Sequence, residues 1–222
     1  MVSDNLATLY EKLPSGVKLV AVSKFHPVSR LMEAYDAGQR VFGENRPQEL
    51  AAKVPQMPSD VEWHFIGHLQ TNKLKLVLPY VSMVQSVDSF HLLEAIDNWG
   101  SANGKVIDVL LELHLGAEET KHGFSEKEIL TLVKEAGEAG VKGSIRIRGL
   151  MGMATNTEDE GVIEADFARI EALFKRIRAE HPELAETFTE LSIGMSGDWP
   201  IAVRHGATMV RIGTDIFGAR EY

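Results

Sequence analysis

Apolar residues in this chain cluster in short, β-branched-rich runs, and the stretches between the runs carry apolar residues at helical spacing. The first run lies in 17–27, VKLVAVSKFHP, where Leu19, Val20, Ala21 and Val22 are continuous. Pro14 and Gly16 precede it and Pro27 closes it. A run with no polar alternation reads as a strand buried on both faces, as in a parallel sheet. Similar runs recur at 40–43, 61–67, 81–87, 105–115, 145–153, 187–195 and 208–212.

Helical segments are predicted between them, at 29–37 with Gly38 as its stop, from the FGENR stretch through Lys53, at 71–78, and from Asp88-Ser89 to Trp99. Others start at Ser125, where Ser125 and Glu128 spell a capping box, and cover 157–181 and 200–205. The amino-terminal segment is a further amphipathic helix, with Leu6, Leu9, Tyr10 and Leu13 on one face.

Eight strands alternating with helices imply a parallel sheet. Eight such units closing on themselves make a (β/α)8 TIM barrel, a fold of ~250 residues that can be as short as ~200. The expectation is one α/β barrel domain over residues 1–222, with residues 1–14 as an extra helix packed on it. The competing doubly wound open sheet usually has fewer strands and a glycine-rich first turn, which SKFHP is not.

Composition narrows the partners. The chain is 44% hydrophobic and 25% charged, with a net charge of -9. An acidic surface disfavours nucleic acid and anionic lipid, and no apolar run approaches the ~20 residues of a membrane span. The absence of cysteine excludes disulfides and thiolate metal sites, and a start without a basic, apolar leader fits a cytoplasmic protein. The histidines of HFIGH have zinc-helix spacing, but on a strand they spread ~13 Å apart. No metal is expected there.

Lys24 stands at the carboxyl end of an inner strand, where α/β folds place chemistry. Near the other end, LSIGMSGDWP and VRIGTDIFG share one design: strand, then Ser196-Gly197 or Gly213-Thr214, then a helix start. Glycine admits close backbone approach, the hydroxyl adds a donor, and the loops after strands seven and eight form the usual barrel phosphate site. Closure brings strand one beside strand eight, so Lys24 and Gly213-Thr214 are expected at one mouth.

AVSKFHP, FGENRPQE, WHFIGHLQTNK, SVDS, GLMGM, LSIGMSGDWPIAVRHGATMVRIGTDIFG and the terminal AREY together resemble the pyridoxal phosphate homeostasis protein family, single-domain relatives of the alanine racemase barrel. The resemblance runs in order from Val17 to Tyr222. It implies pyridoxal 5′-phosphate held as a Schiff base on Lys24. It also implies that Ser196, Gly197, Gly213 and Thr214 hold the phosphate with Arg211 nearby, that Asn45 lies near the ring's phenolic oxygen, and that Met195 and His64 line the pocket. His114 stands where the family commonly has Asn, whereas Lys121 and Gly123 keep its pattern.

Three functions compete. The protein could hold and supply the cofactor without robust catalysis, could be a cofactor-dependent amino-acid racemase or decarboxylase, or could bind another phosphorylated metabolite. The related racemases take a tyrosine base from a second domain, which this chain, ending at Tyr222, is not expected to have. The carrier role is therefore favoured, with no catalytic residue assigned. Amino acids and cofactor-dependent apo-enzymes are the further partners, and a monomer is expected. Among blander readings, Asp88 is a helix cap, the 71–75 segment a solvated face, GLMGM barrel interior, and Arg204 and His205 surface residues.

Overall fold

The computed structural model describes residues 1–116, 122–136 and 141–218. The predicted features at Lys121, at Gly140 and in the terminal AREY lie outside the described residues.

Eight parallel strands form a closed barrel. They are β1 (Lys18–Val22), β2 (Val41–Glu44), β3 (Glu62–Phe65), β4 (Met83–Val87), β5 (Ile107–Glu112), β6 (Ile145–Met151), β7 (Glu190–Met195) and β8 (Met209–Ile212). Each pairs with its sequence neighbours, and β1 closes the ring on β8 through Ala21 opposite Ile212. On its other side, Ala21 pairs with Phe42 of β2.

The α-helices among the described residues are α1 (Val2–Lys12), α2 (Val28–Asp36), α3 (Pro47–Lys53), α4 (Phe90–Asn103), α5 (Glu126–Ala136), α6 (Glu160–Glu180), α7 (Trp199–Arg204) and α8 (Thr214–Phe217). After β3 the expected basic helix is instead a 3-10 turn, Thr71–Leu76, in which Leu74 is the one buried residue. Leu74, Val77 and Leu78 are all buried at helical spacing, and Pro79 directly after them keeps the segment short. A two-residue strand absent from the sequence reading, Val141–Lys142, pairs antiparallel with the start of β6.

The capping box forms as spelled, with the Ser125 N–H donating to Glu128 and the Glu128 N–H to the Ser125 hydroxyl. α1 buries Val2, Leu6 and Leu9 and packs on α2 and α8, where Asn5 donates to the Ile216 carbonyl at 2.9 Å. α6 buries Ile163, Phe167, Ile170, Leu173 and Ile177, an i, i+3, i+4 stripe facing the sheet. Each such side chain contributes roughly 1.5–3 kcal/mol by leaving water.

Inside the barrel, Val20, Met83, Leu110, Met151 and Met209 form an apolar plug. Toward the amino ends of the strands lie ion pairs, Lys18 with Glu62 at 3.4 Å and Arg146 with Asp108 at 2.7 Å. Polar side chains also cross the interior, where Gln85 bonds His64 at 2.7 Å and Ser192 at 2.6 Å. The barrel is thus stopped below and left open at the carboxyl ends of its strands.

Candidate functional site

A cavity of about 520 Å³ occupies that open end. Lys24, Asn45, Met195, Ser196, Gly197, Arg211, Gly213 and Thr214 all line it. His64 is the exception among the predicted site residues. It points into the barrel interior, fully buried, with Nε2 2.9 Å from Glu62 and Nδ1 on Gln85. It sits one layer below the mouth, and Ile66, two residues on and just past β3, is the one that reaches the cavity.

Lys24 follows β1 by two residues and is half-buried. The turn that presents it is unusual, since Phe25 has φ +66°, a region few side-chain-bearing residues occupy. Arg46 lies over the Phe25 ring at 4.2 Å, and the His26 ring meets that of Phe217 at 4.8 Å. This loop is therefore gripped from both sides.

The two glycine loops are set by their strands. Asp198 accepts from the Met195 N–H and donates its own N–H to the Met195 carbonyl at 3.0 Å, closing a turn with Ser196-Gly197 at its tip. Gly213 packs on β1 so tightly that a Cβ there would lie 3.2 Å from the Val22 carbonyl. That contact places Thr214 beside the strand that carries Lys24. Among the described residues, no backbone bond claims the N–H groups of Ser196, Gly197 or Gly213.

Arg211 is buried and donates to the Ser192 carbonyl at 2.8 Å, the Ser192 hydroxyl at 2.7 Å and the Gly152 carbonyl at 2.9 Å. Burial pulls its pKa down to about 10, against the pull of Glu112 and Asp198. Asn45 Oδ1 is buried without a hydrogen-bond partner. An unpaired buried acceptor is costly and marks a place where a ligand donor fits.

The sequence reading missed several cavity residues. Glu112 lines the wall, and burial, then the nearby Asp88 charge, push its carboxyl up to about 7 while Arg211 opposes the shift. An acidic residue inside the apolar run VIDVLLELHL was the available signal. Asp88 is not the helix cap expected of it. The Ser89 hydroxyl caps α4 by accepting from the Leu92 N–H, and Asp88 faces the cavity with His68 and His122. His205 is not a free surface residue either, because its two ring nitrogens each lie 2.7 Å from a carboxylate of α6, Glu171 and Glu164. His114 does not line the cavity, although Leu113 and Leu115 on either side of it do. In GLMGM only part is interior: Met151 joins the plug, while Gly152 faces Leu115 and Ile170.

Comparison with known proteins places these features. The family model for the alanine racemase N-terminal domain matches residues 1–221. The chain is 38% identical over 209 residues to the pyridoxal phosphate homeostasis protein of Haemophilus influenzae, covering 93% of this chain and 86% of the relative. It is 36% identical over 221 residues to the protein of the same name in Escherichia coli, covering 97% and 91%. Among solved structures, PipY of Synechococcus elongatus with PLP bound superposes with a TM-score of 0.87 at 37% identity, covering 98% of this chain and all of that one. Alanine racemase from Streptomyces coelicolor shares the fold, with a TM-score of 0.72 at 22% identity over 98% of this chain and 58% of that one. The chain belongs to the alanine racemase N-terminal domain family, alongside the pyridoxal phosphate homeostasis proteins.

Proposed function

We propose that this chain binds pyridoxal 5′-phosphate in the barrel cavity, as a Schiff base on Lys24, and serves its homeostasis rather than amino-acid turnover. The observation that carries the reading is the meeting of Lys24 with Ser196-Gly197 and Gly213-Thr214 at one mouth. An amine there supplies the nucleophile for an aldehyde, and the two loops supply N–H and hydroxyl donors for a phosphate. The relatives' names and the PLP-bound PipY structure support the same ligand.

The residues present fit the group. The unpaired Asn45 Oδ1 asks for a donor, and the open space beside Gly197 admits an anion. When bound, the cofactor supplies an aldehyde and an electron-accepting ring. Arg211 is the residue offered to the ring nitrogen. It only donates hydrogen bonds and, with a pKa near about 10, stays charged at neutral pH, so it would leave that nitrogen unprotonated and the ring a weak electron sink. That favours holding the cofactor over broad carbanion chemistry.

On this reading the whole chain works as one unit in the cytoplasm, as a monomer, with apo-enzymes and amino acids as further partners. Among the described residues no helix is long and apolar enough to cross a membrane.

Borohydride reduction of the cofactor-loaded protein, followed by peptide mapping, tests the attachment. A phosphopyridoxyl adduct is expected on the peptide containing Lys24, and an adduct elsewhere or none would overturn it. Incubation with L- and D-amino acids tests the carrier role, which multiple turnovers at enzyme-like rates would overturn.

A further inference from the structure

Three side chains converge on the cavity rim from different strand ends, and the cofactor reading uses none of them. His68 follows β3, Asp88 follows β4, and His122 lies beyond β5. Nδ1 of His68 is 2.9 Å from Asp88 Oδ2, and Nδ1 of His122 is 3.8 Å from the same oxygen. One nitrogen or oxygen from each residue lies within 4.8 Å of the other two. The two imidazole rings stack at 4.3 Å, 20° from parallel.

Each arm is seated by neighbouring structure. The Asp88 side chain is only 5% exposed, and the Ser89 hydroxyl donates to its Oδ1 at 3.0 Å, which leaves Oδ2 for the histidines. Such outer hydrogen bonds orient metal ligands. Beside His68, Gly67 packs so close to Asn45 that a Cβ would lie 2.5 Å from the Asn45 carbonyl, and the Ser86 hydroxyl donates to the Gly67 carbonyl. Beside His122, Gly123 has φ +126° and presses on the end of β5, where a Cβ would lie 3.1 Å from the Glu112 carbonyl. The Phe124 N–H donates to the Glu112 carbonyl at 2.8 Å and secures that approach.

Ligand chemistry points to a cation. One carboxylate oxygen, Asp88 Oδ2, is shared by the two imidazoles. Two imidazoles and a carboxylate are the ligands that a borderline divalent ion takes. Tetrahedral zinc at ordinary bond lengths sets its ligand atoms about 3.4 Å apart. The separations here bracket that value.

We propose that His68, Asp88 and His122 form a site for a divalent transition-metal ion of the zinc class, with a coordination position left for water or for a group carried in the cavity. This departs from the sequence reading, which weighed His68 only against His64 on its own strand. It does not depend on the cofactor assignment.

The test is isothermal titration of the full chain, freed of cofactor and metal, with zinc chloride. One saturable site is expected. His68→Gln and His122→Gln should each weaken binding at least about tenfold. His205→Ala, remote from the triad, should leave it unchanged. Both substituted histidines are at least half exposed, so circular dichroism should show native folding. Cobalt(II) gives a second readout, with visible ligand-field bands expected for the parent and altered in His122→Gln. No saturable binding, or equal affinity in parent and both variants, would overturn the proposal whether or not pyridoxal phosphate binds.

Discussion

Lys53 Nζ lies 2.9 Å from the carbonyl oxygen of Ser23, the residue directly before Lys24. The same ammonium reaches Glu44 Oε1 at 2.6 Å and Glu49 Oε2 at 3.1 Å, so its three N–H donors meet three acceptors. Glu49 Oε2 also accepts from the Phe25 N–H at 2.9 Å, and the Ser23 hydroxyl donates to Glu44 at 2.6 Å. Through these bonds α3 holds the backbone on both sides of Lys24. The left-handed conformation of Phe25 persists because this grip over-determines it.

Lys53→Met should therefore cost about 3–5 kcal/mol in urea unfolding at pH 7. Its Glu44 partner is fully buried, and burial already pushes that carboxyl upward against the attraction of Lys53. With the ammonium gone, Glu44 takes a proton, which limits the loss. The double variant Lys53→Met/Glu44→Gln should recover part of it. A loss below about 1 kcal/mol in the single variant would show that the cluster does not hold the loop.

Among the described glycines, Gly149 makes the closest approach to a neighbouring strand. It has φ +153°, and a Cβ there would lie 1.7 Å from the Glu190 carbonyl oxygen of β7. The β5–β6 register shifts at this level, between Val109 and Leu110. Gly149→Ala has no flexible neighbour to displace, so a destabilisation of about 4 kcal/mol or more is expected from thermal or urea unfolding. Near-parental stability would mean that the two strands can separate there.

What the sequence disclosed was local. Apolar runs such as 19–22 and 208–212 revealed the strands, and Ser-Gly and Gly-Thr after the last two marked loops that line the cavity. The 71–78 segment was read as a helix because Leu74, Val77 and Leu78 do have helical spacing, whereas its hydrogen bonds follow the tighter 3-10 pattern over Thr71–Leu76. The Lys53 cluster, the inward-facing Asp88 and the two carboxylates around His205 were hidden for another reason. Each joins residues from different elements, so its geometry exists only once strand register and helix packing are fixed. His64 failed on depth: alternation gives the side of a strand, not how far along the barrel a residue sits.

Acid stability should depend on Glu62. Its hydrogen bond with His64 is the main cause of a pKa lowered to about 2, with the His64 and Lys18 charges helping against burial. A folded pKa below the unfolded value of about 4.3 means stability that is complete above that value and lost as pH falls toward 2. Because the side chain is partly exposed, the effect at neutral pH is about 1 kcal/mol. Glu62→Gln should lower stability at pH 7 by that amount and flatten the decline between about pH 4 and 2. Urea unfolding across this range measures it, and an unchanged acid slope would contradict the assignment.

Asn45 separates ligand binding from stability. Its buried Oδ1 has no partner, an arrangement that costs the empty protein about 1–3 kcal/mol relative to a satisfied group. Leucine keeps the branched skeleton of four side-chain heavy atoms and has no polar atom to leave unpaired. If that oxygen serves a bound molecule, Asn45→Leu should leave the cofactor-free protein as stable as the parent or more so. Its affinity for pyridoxal phosphate should fall about tenfold, the loss of one hydrogen bond worth about 1.4 kcal/mol. Unfolding of the empty protein and spectrophotometric titration with the cofactor read the two effects independently. A variant that loses stability but keeps its affinity would place the role of Asn45 in the Gly67 contact instead.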